Sequence, residues 1–432
     1  MAEQKRKKND VYIVDGSRTP YIRARGVPGP FHAADLAVMA GRGLLARQKF
    51  EATQFDEVIL GSTMPSPDEA NIGRVVALRL GCGEQVPAWT VQRNCASGMQ
   101  SIDSAARNIL SGRSDLVLAG GVDAMSHGPL LFSTAMATWL GGFYAARSLP
   151  AKMQSISKFR PGMLKPVIAL LRGLTDPVVG LNMGQTAEEI AYHFGIDRLA
   201  MDTFAVQSHL RLLAAQTAGR LNEIEVIYDK DGNYYDHDDG VRADSSVEKL
   251  AKLKPVFDRE FGMVTAGNSS QITDGAAWLV LASEKAVNKH NLPVIGRLVD
   301  SEWAALRPEE MGLGPVHAMT SLMKRQKLKI DDVDFWEINE AFAAQVLGCI
   351  AAWKDAKYCR EQLHLRSAFG EIDQEKLNID GGAVALGHPV GSSGARIVLH
   401  MCHVLEQNNA KKGIASICIG GGQGGAMLIE RD

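Results

Sequence analysis

The chain has 432 residues, of which 46% are hydrophobic and 22% charged, with a formal net charge of −2 at pH 7. This balance excludes a disordered chain and a protein that holds nucleic acid by bulk charge, and the length allows two or three domains with large cores. Six cysteines (Cys82, Cys95, Cys349, Cys359, Cys402 and Cys418) show no C-x-x-C pair and no dense framework, which points to a reducing, cytoplasmic setting without disulfides.

The first ten residues, "MAEQKRKKND", are basic, but no apolar stretch follows, so no secretory signal is read there. "VYIVDG" reads as a strand before a helix at 34–47, and "EVILG" as a strand before a helix at 71–80. Ala88, Trp89, Thr90 and Val91 form the next strand-like run. Beyond it Met99, Ile102, Ala105, Ala106, Ile109 and Leu110 recur on one helical face. "TVQRNCASGM" sets Cys95 at that handover, where unpaired N–H groups of a helix start favour an anion and predict a thiol titrating below its ordinary range. A lone cysteine is also commonly a small buried hydrophobe, and this window leaves both readings open. "SDLVLAGG" follows as a strand, and such alternation implies crossover units in a parallel sheet.

From about residue 126 to 258 the texture changes. Ser126 to Thr175 contains no Asp or Glu, but has Arg147, Lys152, Lys158, Arg160, Lys165 and Arg172. Phe132, Met136, Trp139, Leu140 and Phe143 form an apolar stripe beside them. Pro129 and two glycines break the uncharged run from Gly128 to Ala146, so it reads as a docking hairpin, with core packing as the alternative. "TAEEIAYHFGIDRLAMDTFAVQSHLRLLAAQTAGRL" predicts two helices, the first capped by Thr186 with Glu189 and the second starting at Asp197. In "DKDGNYYDHDDGVRADSS", Asp229, Asp231 and Gly232 miss the Ca²⁺-loop register, so a polar turn without metal is expected.

The far end repeats the alternation. "VDFWEIN" precedes a helix at 340–353, "LNIDGGA" precedes one at about 391–406, and "GIASICIGGG" precedes the strand "GAMLIE". "LVLAGGVDAM" after the Cys95 helix parallels "SICIGGGQGGAM" after the His388 helix, which suggests an internal duplication. The expected divisions are a first half at 1–125, an inserted loop domain at 126–258, the rest of the first half at 259–296, and a second half at 297–432.

Four separated motifs bear on Cys95: "NCASGMQ", "NEAFAAQ" with Asn339, "GHPVGSSGAR" with His388 and "CIGGGQGG" with Cys418. Together they supply a thiol nucleophile, an imidazole base, a second thiol and an amide donor, a set suited to covalent acyl transfer. Gly420, Gly422 and Gly425 satisfy G-x-G-x-x-G, but no helix and no later acidic residue follow, so a dinucleotide site is set aside.

With "GSRTP", "LAGGVDAMS", "NMGQTAEEIA", "TAGNSSQITDGAA" and "MGLGP" in order between and around them, these motifs make the whole chain resemble the thiolase superfamily. The resemblance implies an α/β fold, five-layered α/β/α/β/α, from two similar halves with an inserted loop domain. It implies Cys95 as the acylated thiol, His388 as its base, and Cys418 as acid and base at the α-carbon. Asn339, through a water, and His388 would form one oxyanion hole, and the N–H groups of Cys95 and Gly420 the other. Coenzyme A is implied as substrate rather than resident cofactor, beside Ser270, Asn182, Met183, Met311 and Phe342, with no metal. For the two methionines plain core packing is the competing reading.

Asn182 stands where the short-chain biosynthetic branch shows His, and the acid-free insert looks like that of β-oxidation members in multienzyme complexes. "NEAFA" departs from a variant of those enzymes with His at position 339. The implied activity is 3-ketoacyl-CoA cleavage, with condensation of two acetyl-CoA as the alternative. A ketoacyl-synthase-type enzyme would lack the second cysteine, and a non-catalytic lipid-binding relative would be expected to lack Cys95, His388 or Cys418. The implied partners are acyl-CoA and coenzyme A, a second or further copies of the chain as homodimer or homotetramer, and a hydratase/dehydrogenase subunit. Residues 126–175 add a candidate membrane contact, and no nucleic acid is expected.

Overall fold

The alternating signals at the two ends of the chain become two β/α units that share one hydrogen-bonded sheet. The computed structural model describes residues 10–431, so the basic cluster at residues 5–8 lies outside the described residues. The first unit runs β1 (Val11–Arg18), α1 (Ala33–Ala46), β2 (Glu57–Gly61), α2 (Ile72–Arg79), β3 (Ala88–Val91), α3 (Ser97–Leu110) and β4 (Leu116–Ala124). The insertion carries α4 (Thr134–Ala145), α5 (Leu149–Ser157), α6 (Ala169–Gly173), α7 (Met183–Phe194) and α8 (Arg198–Thr217). After it β5 (Thr273–Ser283) completes the first unit. The second unit runs β6 (Gly296–Ala305), α9 (Gly314–Gln326), β7 (Phe335–Ile338), α10 (Ala343–Lys354), α11 (Val390–Gln407), β8 (Lys412–Ile419) and β9 (Gln423–Glu430).

The strand order is β7-β8-β9-β6-β1-β5-β4-β2-β3. Parallel pairs occur toward the two ends, β2 with β3 and β4, and β7 with β8. The middle of the sheet is antiparallel, so the expected parallel sheet is mixed. The reason is connectivity: β9 leaves β8 through a tight turn and β5 returns from the insertion, so neither follows the βαβ crossover that parallel pairing needs. The halves meet along β1 and β6 over three residue pairs, from Val11 with Leu298 to Ile13 with Gly296.

Between the two half-sheets lie α3 and α11, whose Met99, Ile102, Ala105, Ile109, Ile397 and Val398 are fully buried. Residues of α1 and α2 cover the outer face of the first half-sheet, and residues of α9 and α10 that of the second, giving five layers. The central helices touch through glycine. A Cβ on Gly98 would lie 2.8 Å from both Gly391 O and Ala395 N, and one on Gly121 of the adjoining β4 would overlap the same Gly391 carbonyl. This contact brings the first turns of α3 and α11 together.

Two local expectations change. "LNIDGGA" makes only an isolated bridge between Leu377 and Trp336, because Asn378 (φ 47°) and Gly381 (φ 78°) turn the chain out of the extended region. The first insert helix is capped by Asn182 with Gln185 rather than by Thr186 with Glu189. Thr186 lies inside the helix and donates its hydroxyl to Met183 O at 2.7 Å. Asp197 caps α8 as read, accepting from Ala200 N at 2.8 Å. In the polar loop, Asp229 spends its carboxylate on Asp231 N, Asn233 N and Tyr235 Oη, inside a short hairpin.

α4 and α5 form the expected hairpin, and its inner side packs on itself. Met136 is buried, and Trp139 lies 5.7 Å from Phe143 and 5.1 Å from Phe159, ring to ring. No residue from 126 to 175 joins the main cores. No helix among the described residues is long and apolar enough to cross a membrane.

Candidate active site

Cys95 occupies the turn between β3 and α3, half-buried, behind Asn94 with its left-handed φ of 43°. The N–H groups of Gly420 and of Cys95 itself favour its thiolate, but burial outweighs them and pushes the Cys95 thiol up. The expected downward shift is therefore reversed in the free protein. The helix starts only at Ser97, and two N–H groups an open terminus would offer are already spent, Ala96 N on Arg93 O (3.0 Å) and Ser97 N on Asn94 O (3.1 Å). A neutral Cys95 needs a base.

His388, the imidazole that the resemblance implies as that base, lies just before α11. Its N–H donates to Gln271 O at 3.0 Å, and its ring Nδ1 lies 2.6 Å from Ser393 Oγ. Ser393 gives its own proton to Pro389 O (3.0 Å), so the network assigns the ring proton to Nδ1 and a bare lone pair to Nε2. Nε2 is buried without a partner. Burial, reinforced by the Arg396 charge, lowers His388 to about 4, so the ring is neutral at pH 7.

Cys418 ends β8, almost fully buried. Burial first, and then the neighbouring Cys95 and Cys349, push its thiol well above the ordinary range, which keeps it protonated at neutral pH. Asn339 follows β7 and is pinned to the strand of Cys418 by its N–H on Ser416 O at 2.9 Å. Both polar atoms of its carboxamide are buried and unpartnered. Gly420 opens the turn from β8 to β9, which continues through Gly421 (φ 90°) and Gly422 (φ 75°). Gly422 also has no room for a Cβ, which would overlap Leu306 O. Asn94 Nδ2 holds the Gly420 carbonyl at 2.8 Å, joining the Cys95 turn to the glycine turn.

A cavity of about 320 Å³ opens onto Cys95, lined by Asn94, Leu170, Leu174, Met183 and Gly420 among others. Of the residues read as coenzyme A contacts, Met183 therefore shares the Cys95 cavity. The loop with Ser270 is stitched to the loop after Asn339 by Ser270 N on Ala341 O (3.0 Å) and Ala343 N on Asn268 O (2.9 Å). Phe342 is buried there, edge-on to Phe257 at 5.9 Å. Met311 is buried in the core under α9 and α10, and Asn182 spends its carboxamide oxygen on Gln185 N at 3.0 Å.

Sequence reasoning passed over Asn94, Ser393 and Asp123. The Asp123 carboxylate, fully buried, accepts from Ser62 Oγ (3.0 Å), Thr63 N (3.0 Å), Met64 N (3.2 Å) and Gly391 N (2.6 Å), tying β4 to the start of α11. A single acid at the end of an apolar, glycine-containing strand was the available signal.

Residues 11–285 match the thiolase N-terminal domain and residues 292–431 the thiolase C-terminal domain. The chain is 38% identical to the mitochondrial 3-ketoacyl-CoA thiolase of Rattus norvegicus over 426 residues, 97% of this chain and 98% of that protein. It is likewise 38% identical to the β-ketoadipyl-CoA thiolase of Pseudomonas aeruginosa over 430 residues, 98% and 99% of the two chains. Among solved structures, human mitochondrial 3-ketoacyl-CoA thiolase in complex with CoA matches with a TM-score of 0.84 at 35% identity, over 98% of both chains. The acetyl-CoA acetyltransferase of Bacillus anthracis matches with a TM-score of 0.84 at 35% identity, over 98% of this chain and 99% of that one.

Proposed function

The chain belongs to the thiolase family of acyltransferases, and from that premise we propose that it cleaves 3-ketoacyl-CoA with coenzyme A, carrying the acyl group on Cys95. The observations behind the reading are Cys95 beside Cys418 and the Gly420 N–H, and a buried His388 Nε2 and a buried Asn339 amide left without partners. His388 Nε2 takes the Cys95 proton, and the thiolate attacks the 3-keto carbon. The C2–C3 bond breaks, and the electron pair leaves as the enolate of acetyl-CoA, which takes a proton from Cys418. Coenzyme A then gives its thiol proton to Cys418 and attacks the acyl-Cys95 thioester. Cys95 leaves and recovers its proton from His388. The N–H groups of Cys95 and Gly420 face the tetrahedral oxyanion, and Asn339, through a water, with His388 faces the enolate oxygen. Losing one such donor typically costs about 3–4 kcal/mol of barrier.

The test separates the two thiols. Cys418→Ala should still be acetylated on Cys95 by acetyl-CoA, because coenzyme A can leave as its thiolate without the Cys418 proton, and Cys95, His388 and the Cys95 and Gly420 N–H groups remain in place. Thiolysis and deuterium exchange at the acetyl methyl should fall by about 10² to 10⁴-fold. Undiminished exchange, or no acylation of Cys95 in a folded sample, would sink the assignment. Acetyl-CoA acetyltransferase activity is the second reading, favoured by the Bacillus anthracis neighbour of that name. Thiolysis rates that fall steadily beyond acetoacetyl-CoA would select it.

The partner reading concerns residues 126–175, where ten large hydrophobic side chains, among them Leu130, Phe132, Tyr144, Leu149 and Met153, are at least 43% exposed. With six basic and no acidic residues in the segment, we place this face against an anionic bilayer. Each basic residue contributes about 1 kcal/mol near such a surface, and salt weakens it. The protein should float with phosphatidylcholine vesicles containing phosphatidylglycerol and not with phosphatidylcholine alone. Equal flotation with both, or none, rejects the bilayer. All six cysteines are unpaired thiols, in keeping with a reducing, cytoplasmic setting.

A further inference from the structure

Glu340 follows Asn339 directly, and its fully buried carboxylate collects donors from three separate parts of the chain. Ser208 Oγ of α8 donates at 2.6 Å, Asn378 Nδ2 at 2.8 Å and Val384 N at 3.2 Å. Val384 belongs to the short turn of helix that leads into His388. The same partners grip the surrounding backbone. Asn378 brackets Ile338, accepting from its N–H (2.9 Å) and donating to its carbonyl (2.9 Å), and Ser208 Oγ accepts from Gly382 N at 3.1 Å. A Cβ on Gly382 would overlap the Glu340 carboxyl carbon, so the acid fills space that only glycine leaves.

Among the described residues no cation pairs with this carboxylate. Arg396, the buried cation nearby in the second unit, is bonded to Glu337 instead. Burial pushes the Glu340 carboxyl up, with the Glu337 charge adding to it. An unpaired buried acid is expensive, and a neutral side chain would serve packing alone.

We propose that Glu340 is the positioning residue that aims the Asn339 amide next to it, and that the insertion reaches the Asn339 loop through Ser208. The inference rests on the reading of Asn339 and His388 as the enolate-facing pair. Glu340, acting through Asn339, then affects enolate formation and not the transfer of an acyl group to Cys95, which uses His388 as base and the Cys95 and Gly420 N–H groups.

The experiment compares Glu340→Gln, Ser208→Ala, Ser208→Thr, Asn339→Ala and the double variant Glu340→Gln/Asn339→Ala. Two rates are read, deuterium exchange at the methyl of acetyl-CoA and single-turnover acetylation of Cys95. Glu340→Gln should slow exchange about 10 to 10²-fold and acetylation by less than about 3-fold, within the range of one acid–base or positioning contribution. The double variant should be no slower than Asn339→Ala, since residues acting through one group do not add. Ser208→Ala should slow exchange several-fold and Ser208→Thr should restore it, which keeps the test open where Glu340→Gln fails to fold. Equal loss of both rates in Ser208→Ala or Glu340→Gln, or multiplied losses in the double variant, overturns the proposal while leaving the enolate reading standing. Undiminished exchange in Asn339→Ala overturns the enolate reading itself, and the proposal with it.

Discussion

Where α3 meets α11, glycine lets two backbones touch and Met99, Ile102, Ile397 and Val398 are sealed between two half-sheets; where α4 meets α5, a Cβ on Gly141 or Gly142 would meet nothing within 4 Å, and Leu149 and Tyr144 face water. Both pairs are helical, apolar and glycine-containing. Periodicity states that a face is suited to burial and says nothing about what covers it. At the crossing the cover is the rest of the fold, which fixes the positions of Cys95 and His388. On the hairpin Leu149 and Tyr144 face solvent, and the proposed bilayer would be their cover.

The sharpest way to break this comparison is Gly121→Ala. The added methyl on β4 meets the Gly391 carbonyl, a backbone atom that cannot turn aside, so β4 and the first turn of α11, beside the helix crossing, must move apart. Overpacking costs typically about 1–3 kcal/mol, and a clash between backbones belongs at the upper end or beyond. Urea unfolding should show a loss of about 3 kcal/mol with Cys95 acetylation lost alongside. An unchanged midpoint would mean that the crossing is looser than its glycines imply.

That crossing was only partly legible beforehand. Met99, Ile102, Ala105 and Ile109 announce the central helix through their spacing, and "GHPVGSSGAR" and "NCASGMQ" announce the site through their chemistry. The proximity of Gly121 to Gly391 joins positions hundreds of residues apart, and no local window carries it. The Cys95 thiol moves opposite to its expectation for a related reason: a helix start is visible in sequence, but the burial that raises the thiol, and the carbonyls of Arg93 and Asn94 that use up N–H groups of the turn, are not. "LNIDGGA" resembles a strand until Asn378 takes positive φ and turns its side chain back on Ile338. Nothing local marks Glu340 in the sequence, since its partners Ser208, Asn378 and Val384 lie elsewhere in the chain.

The second contrast is electrostatic. The crossing buries a neutral imidazole, whereas the basic side chains of the hairpin stay in solvent. His388 is lowered from 6.5 to about 4, mainly by burial. The unfolded chain takes up this proton below pH 6.5 and the folded chain resists until about 4, so the stability it contributes is complete above pH 6.5 and lost as the pH falls toward 4. At about 1.4 kcal/mol per unit, this amounts to about 2–3 kcal/mol between pH 7 and 4.5. His388→Asn should show an acid destabilisation smaller by that amount in urea titrations at the two pH values. An identical pH dependence in the variant would mean that the ring protonates freely in the folded state.

Smaller effects are expected on the hairpin, and one carries the opposite sign. Gly142→Ala places a methyl in open space within α4, where glycine costs about 0.5–1 kcal/mol relative to alanine. The substitution should stabilise the hairpin by that amount, read as slower amide hydrogen exchange across residues 134–157. Faster exchange would mean that something occupies the space beside Gly142.

The smallest effect on folding should come with a large one on docking. Leu149 is 75% exposed and Met153 60%, and one turn of α5 separates them, so serine at both removes apolar area that folding never buried. Surface changes of this kind usually stay within about 0.5 kcal/mol, and the unfolding midpoint of Leu149→Ser/Met153→Ser should hardly move. Apolar area of this kind is worth about 25 cal/mol per Å² once it leaves water, so flotation with phosphatidylglycerol vesicles should fall severalfold while thiolysis in solution persists. If the midpoint drops by 2 kcal/mol or more, these side chains are packed within the protein and the hairpin is an ordinary part of its core.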